Sequence, residues 1–356
     1  MKKFEIFLKN LILHILLLQK PVKRKPHNGS SIHYKILVIR LNRIGDALVT
    51  TPLLKELRKY LNTKIFLLAD RKNYFVYNNN PDVDEIIIFN KGLKGIFEVL
   101  RLIKTEKIDT VVDLHDDVST TVSYIIALAN TPNKYGLEKE NKSIYTETIP
   151  RPDPKTNHVI VRLLQLAKLF SIEPEIKGAN VRFYPSVKAV SKAEEFISNK
   201  FSQGFFLIGI NISAGSGARF WGVDKYKQLL KYISHYKCKA LLLSAPVDLH
   251  MAEAISENNY PIFSSKNYDE FGAMISKLNL LITPDTAAVH LASAYKIPVF
   301  GLYVQYNTDD MIWSPYQSDF EYILTKEPTL KNITFEEVKL KLGPFLNKYI
   351  LKEKSN

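Results

Sequence analysis

Residues 35–54 read KILVIRLNRIGDALVTTPLL, and this stretch decides the fold class. Residues 36–39 form a short apolar run, rich in β-branched side chains, that is typical of a buried parallel strand. A turn containing Gly45 follows, and a helical pattern then covers residues 46–60. A strand, a tight turn and a helix in this order predict the start of a doubly wound α/β sheet.

The alternation of strands and helices continues and then restarts after a proline-rich break at residues 150–154. Two α/β halves of similar size predict two Rossmann-like, doubly wound parallel sheets that face a central cleft. Ligands of such sheets bind beyond the carboxyl ends of the strands, so residues that follow strands are the candidates. Strands are predicted at residues 64–69, 85–89, 110–114, 205–211, 240–244, 280–283 and 299–303, and helices at 95–105, 119–129, 158–170, 224–236, 248–258, 286–295 and 334–349.

Composition places the chain among ordinary globular proteins, with 46% hydrophobic and 24% charged residues. The single cysteine, Cys238, excludes an intramolecular disulfide and a zinc or iron–sulfur site built from cysteines, and it fits a cytoplasmic protein. Residues 1–35 hold eight of the 49 Lys and Arg residues and one acidic residue, so more than half of the net charge of +13 lies there. Nucleic-acid binders spread basic charge over a folded face, so no nucleic-acid partner is expected.

Residues 1–33 are predicted to be a separate extension and linker. Apolar side chains of residues 4–18 fall on one helical stripe, and a basic run follows at residues 20–25. The apolar run is shorter than the roughly 20 residues that span a membrane, and no secretory cleavage site follows it. Two interpretations stay open: an interfacial helix on an anionic leaflet, or a surface extension that packs on the protein.

The first candidate site is residues 40–46 (RLNRIGD), directly after the first strand. Asp46 has two interpretations: it caps the next helix, or its carboxylate takes a proton from a sugar hydroxyl as a general base. The helix itself has two possible starts. Either Thr51 caps it with Pro52 in the first position, or it begins at Asp46 and kinks.

Two further candidate segments begin at the ends of later strands. In residues 211–221 (NISAGSGARFW), small residues let the backbone approach a ligand, and Arg219 offers a clamp for phosphate; the alternative is a flexible loop with a surface arginine. The glycine spacing excludes a P-loop and a dinucleotide fingerprint. In residues 283–292 (TPDTAAVHLA), the helix start offers amides to a diphosphate, whereas Asp285 alternatively caps the helix and His290 is alternatively a core histidine.

In this order and spacing the segments resemble glycosyltransferase family nine, the heptosyltransferases of lipopolysaccharide core assembly. The opening stretch is similar to the amino-terminal signature of that family. The resemblance covers residues 35–345. The matching stretches are residues 35–54, 78–88 (NNNPDVDEIII), 113–115 (DLH), His158 with Arg162, and 285–299 (DTAAVHLASAYKIPV).

The resemblance implies a GT-B architecture and inversion at the anomeric carbon with no metal and no cofactor. Asp46 matches the proposed general base of the family, and Arg219 matches a basic residue on the donor diphosphate. Asp248 takes the place of a glutamate that contacts the nucleotide ribose. The other positions carried over are Ser213, Trp221, Asp285, Thr286, Ala287 and His290 on the donor side, and Arg40, Arg43, Gly45 and His115 on the acceptor side.

The implied partners are a nucleotide-sugar donor, above all ADP-heptose, and a glycolipid acceptor of the lipopolysaccharide core at a membrane surface; the oligomeric state is not set. The expected location is the cytoplasm, peripheral on the inner face of the inner membrane. The expected division is an extension at 1–33, an acceptor-side domain at 34–175, a nucleotide-sugar domain at 176–333, and a helix at 334–356 that crosses back to the first domain.

Three departures from the family pattern leave the donor open. Ala287 replaces a glycine, residues 304–306 (VQY) replace Gly-x-Thr, and Gly222 replaces a proline. A different nucleotide-sugar donor, a degenerate nucleotide-sugar-binding protein and a nucleotide-sugar epimerase of GT-B shape are therefore the alternatives. The acidic pairs at residues 116–117 and 309–310 are interpreted as solvated loop acids rather than metal ligands.

Overall fold

The computed structural model describes residues 34–350 apart from Gln203, so the predicted extension at residues 1–33 lies outside the described residues. The chain divides into two compact units, the first ending at Ala179 and the second starting at Asn180. This boundary falls slightly later than the expected division after residue 175. Within the described ranges, no helix has the length and hydropathy needed to cross a membrane.

The first unit is a six-stranded parallel sheet in the order β3-β2-β1-β4-β5-β6. This is the Rossmann order, in which the chain leaves the first strand in one direction and later returns to its other side. The strands are β1 (Tyr34–Arg40), β2 (Thr63–Ala69), β3 (Glu85–Ile88), β4 (Thr110–Asp113), β5 (Asn133–Leu137) and β6 (Glu147–Ile149); the helices are α1 (Ile44–Leu48), α2 (Thr51–Tyr60), α3 (Leu93–Thr105), α4 (Thr120–Leu128) and α5 (Val159–Leu164).

The second unit repeats this plan, with a parallel sheet in the order β12-β11-β10-β7-β8-β9. Counted from β7, the order is again that of a Rossmann sheet. The strands are β7 (Leu207–Asn211), β8 (Lys239–Ser244), β9 (Ile262–Ser264), β10 (Leu280–Pro284), β11 (Val299–Val304) and β12 (Phe320–Thr325); the helices are α6 (Val187–Lys200), α7 (Val223–Ile233), α8 (Leu249–Ser256), α9 (Tyr268–Ile275), α10 (Ala287–Ala294) and α11 (Phe335–Ile350).

Each sheet has one point at which the strand order reverses, between β1 and β4 in the first unit and between β7 and β10 in the second. Ile39 pairs with Asp113 near the end of the first pair of strands, and Ile210 pairs with Ile282 near the end of the second. Ligands of open parallel sheets bind at such switch points, beyond the carboxyl ends of the strands. The segments singled out in the sequence follow these four strands.

The core of each unit explains why these elements form. The central strand β1 has Ile36, Leu37, Val38 and Ile39 fully buried, since helices cover both faces of a parallel sheet. Helix α3 is amphipathic and buries Ile96, Val99 and Ile103 on one stripe. Both predicted sheets, and hence the α/β fold class, are confirmed.

One helix differs from the sequence-based expectations. A single helix was predicted at residues 46–60, and the structure has two. Helix α1 ends at Leu48, and α2 starts at Thr51 with Thr50 as its N-cap and Pro52 in its first turn. The last helix, α11, buries Val338, Leu342 and Leu346 in the core of the second unit. The described part of this helix belongs to the second unit, and its expected return to the first domain stays a prediction.

Candidate functional site

Asp46 lies inside α1, where Arg43 takes the N-cap position. Asp46 therefore does not cap a helix, and the capping interpretation is wrong. Its Oδ1 accepts a hydrogen bond from Nη2 of Arg40 at 2.8 Å and a longer one from Nδ2 of Asn42 at 3.4 Å. The side chain keeps 16% of its surface exposed. Two donors thus orient a carboxylate that is still open to a ligand.

Arg40 is the last residue of β1, and its side chain is fully buried. Nε donates to the carbonyl oxygen of Asp46 at 3.0 Å, and Nη1 donates to the carbonyl oxygen of Leu114. The expected acceptor contact by Arg40 is not supported, because the guanidinium does not reach solvent. Arg40 instead fixes Asp46 against the ends of β1 and β4. Arg43 is exposed and Gly45 is half-buried, so both remain open to an acceptor.

A buried polar cluster lies at the end of β4, beside Arg40. The Leu41 backbone N–H donates to Nε2 of His115 at 3.2 Å, so Nδ1 of His115 carries the proton and donates to Oδ1 of Asp113 at 2.7 Å. Oδ2 of Asp113 accepts from Nζ of Lys139 at 2.7 Å and from the hydroxyl of Tyr145 at 2.6 Å. The cluster ties the loop after β1 to the end of β4.

Charge and burial set the protonation states in this cluster. Burial by itself raises the pKa of Asp113, but its interactions with His115 and Lys139 outweigh this effect and hold that pKa well below its usual range. Burial lowers the pKa of His115, against the opposing effect of Asp113, so the imidazole is neutral near pH 7. His115 is 1% exposed, so its expected acceptor contact is not supported either. Its role in the structure is to hold the backbone at Leu41.

The neutral, buried state of His115 predicts a loss of stability on mild acidification. A histidine in the unfolded chain takes up a proton near pH 6.5, whereas the lowered pKa keeps His115 neutral in the folded protein. Below that pH the unfolded state binds the extra proton, so we expect the free energy of unfolding to fall between about pH 7 and pH 5, by up to about 1.4 kcal/mol per pH unit for this group.

Thermal denaturation of the unaltered protein and of His115→Gln across this pH range tests the expectation. Glutamine can replace both hydrogen bonds but does not titrate, so the variant should show a shallower pH dependence of Tm. The exposed His235 provides the matched control, and His235→Gln should keep the slope of the unaltered protein. Equal slopes for all three proteins would contradict the assignment.

The two acidic residues after β4, Asp116 and Asp117, differ in burial. Asp116 is 6% exposed, and its Oδ2 pairs with Nη2 of Arg151 at 2.7 Å and with Nη2 of Arg162 at 2.9 Å. The interpretation as solvated loop acids is wrong for Asp116 and confirmed for Asp117 and Asp309, whose side chains are 88% and 72% exposed. Asp116 is thus a structural anchor for two arginines.

In the second unit, Asn211 connects the two strand ends at the switch point. Its Nδ2 lies 2.9 Å from Oγ1 of Thr283, 3.3 Å from Oγ1 of Thr286 and 3.1 Å from the carbonyl oxygen of Ser213. Thr286 is the N-cap of α10 and accepts from the Ala288 backbone N–H. Sequence reasoning did not assign Asn211. Its position as the last residue of a buried strand at the switch point was the available signal.

The loops after β7 and β8 are joined through Ser213. The Ala245 backbone N–H donates to Oγ of Ser213 at 2.7 Å. Asp248 is half-buried in the turn that follows β8, and its side chain does not cap α8. These side chains lie at the same sheet edge as Asn211, which is where a ligand of the second unit is expected.

Arg219 and Asp285 form an ion pair between the loop after β7 and the loop after β10. Nη2 of Arg219 lies 3.1 Å from Oδ2 of Asp285, and the side chains are 32% and 26% exposed. Nε of Arg219 is buried and makes no hydrogen bond to any described residue. The guanidinium is therefore held at the switch point, and its Nε–H is available to donate a hydrogen bond to a ligand.

Two residues expected on the donor side belong to the core instead. Trp221 is 1% exposed, its ring packs edge-on against Tyr226, and its Nε1 donates to the carbonyl oxygen of Ile333 at 2.9 Å. His290 is 3% exposed, and its ring centroid lies 6.0 Å from that of Trp313. Direct ligand contact by Trp221 or His290 is not supported, and the interpretation of His290 as a core histidine is favoured.

The three departures from the family pattern have different structural settings. Gly222 has φ of 117°, which a proline, fixed near −65°, does not adopt. Gln305 is tied down, since its Nε2 donates to the carbonyl oxygen of Asp310 and its Oε1 accepts from Lys326. Tyr306 is 50% exposed. Ala287 is half-buried in the first turn of α10. Among these positions Tyr306 is the exposed one, and Ala287 lies at the helix start where a diphosphate is expected to bind.

Comparison with known proteins agrees with this arrangement. Residues 96–342 match the model of glycosyltransferase family 9 (heptosyltransferase). Lipopolysaccharide heptosyltransferase 3 of Escherichia coli K12 is 24% identical over 292 residues, which are 76% of this chain and 82% of that protein.

Two solved structures share the fold. A family 9 glycosyl transferase from Veillonella parvula is similar with a TM-score of 0.77 and 23% identity, over 90% of this chain and all of that one. The E. coli heptosyltransferase WaaC, solved with ADP-2-deoxy-2-fluoro heptose, has a TM-score of 0.65 and 15% identity, over 88% of this chain and 99% of that one. Two Rossmann-order sheets and these likenesses define a GT-B fold. Because the family model matches more than half of its length, the chain belongs to glycosyltransferase family 9, the heptosyltransferases, and is a glycosyltransferase.

Proposed function

We propose that this enzyme transfers heptose from ADP-heptose to a lipopolysaccharide core acceptor, with inversion at the anomeric carbon and without a metal. Complementary chemistry at the two switch points supports the proposal. The first unit offers an oriented, accessible carboxylate at Asp46, and the second offers Arg219 and the capped start of α10. The names of the heptosyltransferase relative and of WaaC with its ADP-heptose analogue favour this donor.

The acceptor side of the proposed reaction depends on Asp46. The acceptor hydroxyl attacks the anomeric carbon, and its proton passes to the free lone pairs of the Asp46 carboxylate. Because an ordinary carboxylate is a weak base, proton transfer accompanies formation of the new C–O bond. Arg40 and Asn42 take no proton, and they hold the carboxylate in one orientation. A single displacement of this kind inverts the anomeric configuration.

The donor side of the proposed reaction stabilises the departing nucleoside diphosphate. As the bond between the anomeric carbon and the phosphate oxygen breaks, negative charge grows on the diphosphate. Arg219 can shift the contact of Nη2 from Asp285 to a phosphate oxygen and add a second hydrogen bond from Nε, and the amides at the start of α10 supply further donors. Asp248 is proposed to accept hydrogen bonds from the ribose hydroxyls. These groups provide the electrostatic stabilisation that a metal supplies in other transferases.

The donor assignment is tested by offering ADP-, UDP- and GDP-sugars, with and without glycolipid extracted from a bacterial envelope. We expect a transfer product only with ADP-heptose and only with the acceptor present. A new sugar formed without acceptor would favour the epimerase alternative, and saturable binding without any product would favour a degenerate binding protein. Transfer from another nucleotide-sugar would point to Ala287 and Tyr306 as the positions that changed the donor.

The phosphate role of Arg219 predicts a large kinetic effect. Arg219→Gln removes the positive charge and the paired N–H donors of the guanidinium, so we expect kcat/KM for the donor to fall by about 10²–10³-fold. Arg219→Lys keeps the charge without the bidentate geometry and should recover only part of this loss. The control is Lys227→Gln on α7, which removes a surface cation paired with Glu257 and should leave turnover unchanged. Equal kcat/KM for Arg219→Gln and the unaltered enzyme would rule out the role.

A further inference from the structure

Helix α3 of the first unit carries two large apolar side chains on its outer face. Leu93 is 75% exposed and Phe97 is 68% exposed, and the two lie one helical turn apart on the same side. The opposite face is tightly packed, because a side chain at Gly95 would collide with the backbone of Asn90. Leu93 and Phe97 are therefore exposed although the helix that carries them is packed firmly against the protein.

Basic residues surround these two side chains. Lys94, Arg101 and Lys104 are exposed on the same helix, and Lys91 and Lys107 flank it. The two acidic side chains of this segment already have partners. Glu98 accepts from Nδ2 of Asn90 at 2.8 Å, and Glu106 pairs with Lys35 at 3.0 Å. Lys91 pairs with Asp70 at 3.4 Å, so the outer face of α3 combines apolar bulk with an excess of basic over acidic side chains that is carried by Lys94, Arg101 and Lys104.

The position of α3 relates this face to the candidate site of the same unit. The helix follows β3, so its first turn lies at the carboxyl edge of the sheet. Ile88 at the end of β3 is in register with Ala69, and Ala69 is in register with Arg40. Two strand spacings separate Ile88 from Arg40, which is about 10 Å. The face therefore begins at the edge that also carries Asp46.

We propose that the outer face of α3 docks on an anionic lipid surface and thereby brings the carboxyl edge of the first sheet to its membrane-borne acceptor. We call this set of residues the docking face: Leu93, Lys94, Phe97, Arg101 and Lys104. The inference rests on the proposed function, because that function places the acceptor in a lipid layer.

The chemistry of the docking face matches a lipid surface in two ways. Leu93 and Phe97 enter the boundary between headgroups and acyl chains, where apolar side chains leave water. The long side chains of the basic residues reach back to lipid phosphates at the same depth. An apolar centre bordered by cations is the pattern of interfacial helices, whereas a protein partner of this face would need a matching acidic rim.

Vesicle binding tests the docking face directly. The probes are vesicles of equimolar phosphatidylglycerol and phosphatidylcholine, compared with vesicles of phosphatidylcholine alone. The full chain is used, with its amino-terminal basic run neutralised in every protein so that residues 1–33 contribute equally. The neutralising substitutions are Lys20→Gln, Lys23→Gln, Arg24→Gln and Lys25→Gln.

The apolar variant combines Leu93→Ser with Phe97→Ser, and its matched control combines Val187→Ser with Leu340→Ser. The control residues are 84% and 76% exposed on helices of the second unit. We expect the apolar variant to bind anionic vesicles about tenfold more weakly, and the control to bind normally. Each substitution of Lys94, Arg101 or Lys104 by Gln should weaken binding about fivefold. Unchanged vesicle binding by the apolar variant, or an equal loss in the control, would overturn the proposal and leave a protein partner for this face.

A kinetic comparison separates this inference from the proposed function. The apolar variant should transfer sugar normally to a deacylated, water-soluble acceptor and at least fivefold more slowly to the same acceptor embedded in vesicles. Equal slowing on both acceptors would contradict docking. If the unaltered enzyme shows no transfer at all, the proposed function fails, while the vesicle measurements still decide whether the face binds lipid.

Discussion

Replacing Asp46 by asparagine is expected to lower kcat by about 10²–10⁴-fold and to leave the Kd for the donor unchanged. The amide oxygen of asparagine still accepts the hydrogen bond that Arg40 donates to Asp46 at 2.8 Å, so the fold of α1 is retained. The amide cannot take up a proton at the rate that a carboxylate can. Because the proposed donor-binding residues belong to the second unit, donor binding is expected to be unaffected.

Single-turnover kinetics and donor titration on the same protein separate the two effects. The matched control is Asp117→Asn, because Asp117 lies at the same sheet edge with a side chain that is 88% exposed. This control should turn over normally. Undiminished kcat in Asp46→Asn would end the assignment of Asp46 as the base. A parallel loss of donor affinity would indicate instead that the substitution disturbs the protein more widely.

Replacing Asp113 by alanine is expected to destabilise the protein by about 3–5 kcal/mol. Asp113 is 1% exposed and is the counter-ion of Lys139, which is itself only 2% exposed in its side chain. Without Asp113, the Lys139 ammonium stays buried without compensation, and His115 and Tyr145 lose their acceptor. Leaving a buried charge unpaired costs far more than a surface pair contributes.

Urea denaturation of Asp113→Ala measures this loss. The control is Glu85→Ala, which removes one partner of the exposed Lys64–Glu85 pair and should change stability by less than about 1 kcal/mol. Combining Asp113→Asn with Lys139→Met removes both charges and should recover part of the lost stability. If the double variant is no more stable than Asp113→Ala, the unpaired Lys139 is not the cause.

The positions of the candidate residues could be predicted where a residue type follows a strand end. Asp46, Arg219, Asp285 and Thr286 all lie at the two switch points, since the carboxyl ends of neighbouring parallel strands meet at one edge. The roles of Asp46 and Arg219 stay predictions until the variants are measured. The buried partners Lys139 and Tyr145 could not be predicted, because nothing in their local sequence marks them as neighbours of Asp113.

The elements that sequence reasoning missed share weak local signals. β5 (NKYGL), β6 (ETI) and β9 (IFS) are short or polar, and the edge strand β12 is only half-buried. Helix α6 buries only the small residues Ala189 and Ala193, so its apolar stripe is faint. Periodicity detects a segment through the apolar side chains that it buries, and these segments bury few.

The sequence by itself determined the two α/β halves, their strand–turn–helix starts and the family. Buried strands and tight turns require particular residue types within a few positions, so they can be recognised locally. Only the tertiary structure showed that Arg40 and Trp221 are interior side chains. Arg40 donates to Leu114, 74 residues away, and Trp221 donates to Ile333, 112 residues away. Burial of a polar side chain depends on such distant partners, and no local pattern encodes where the chain will return.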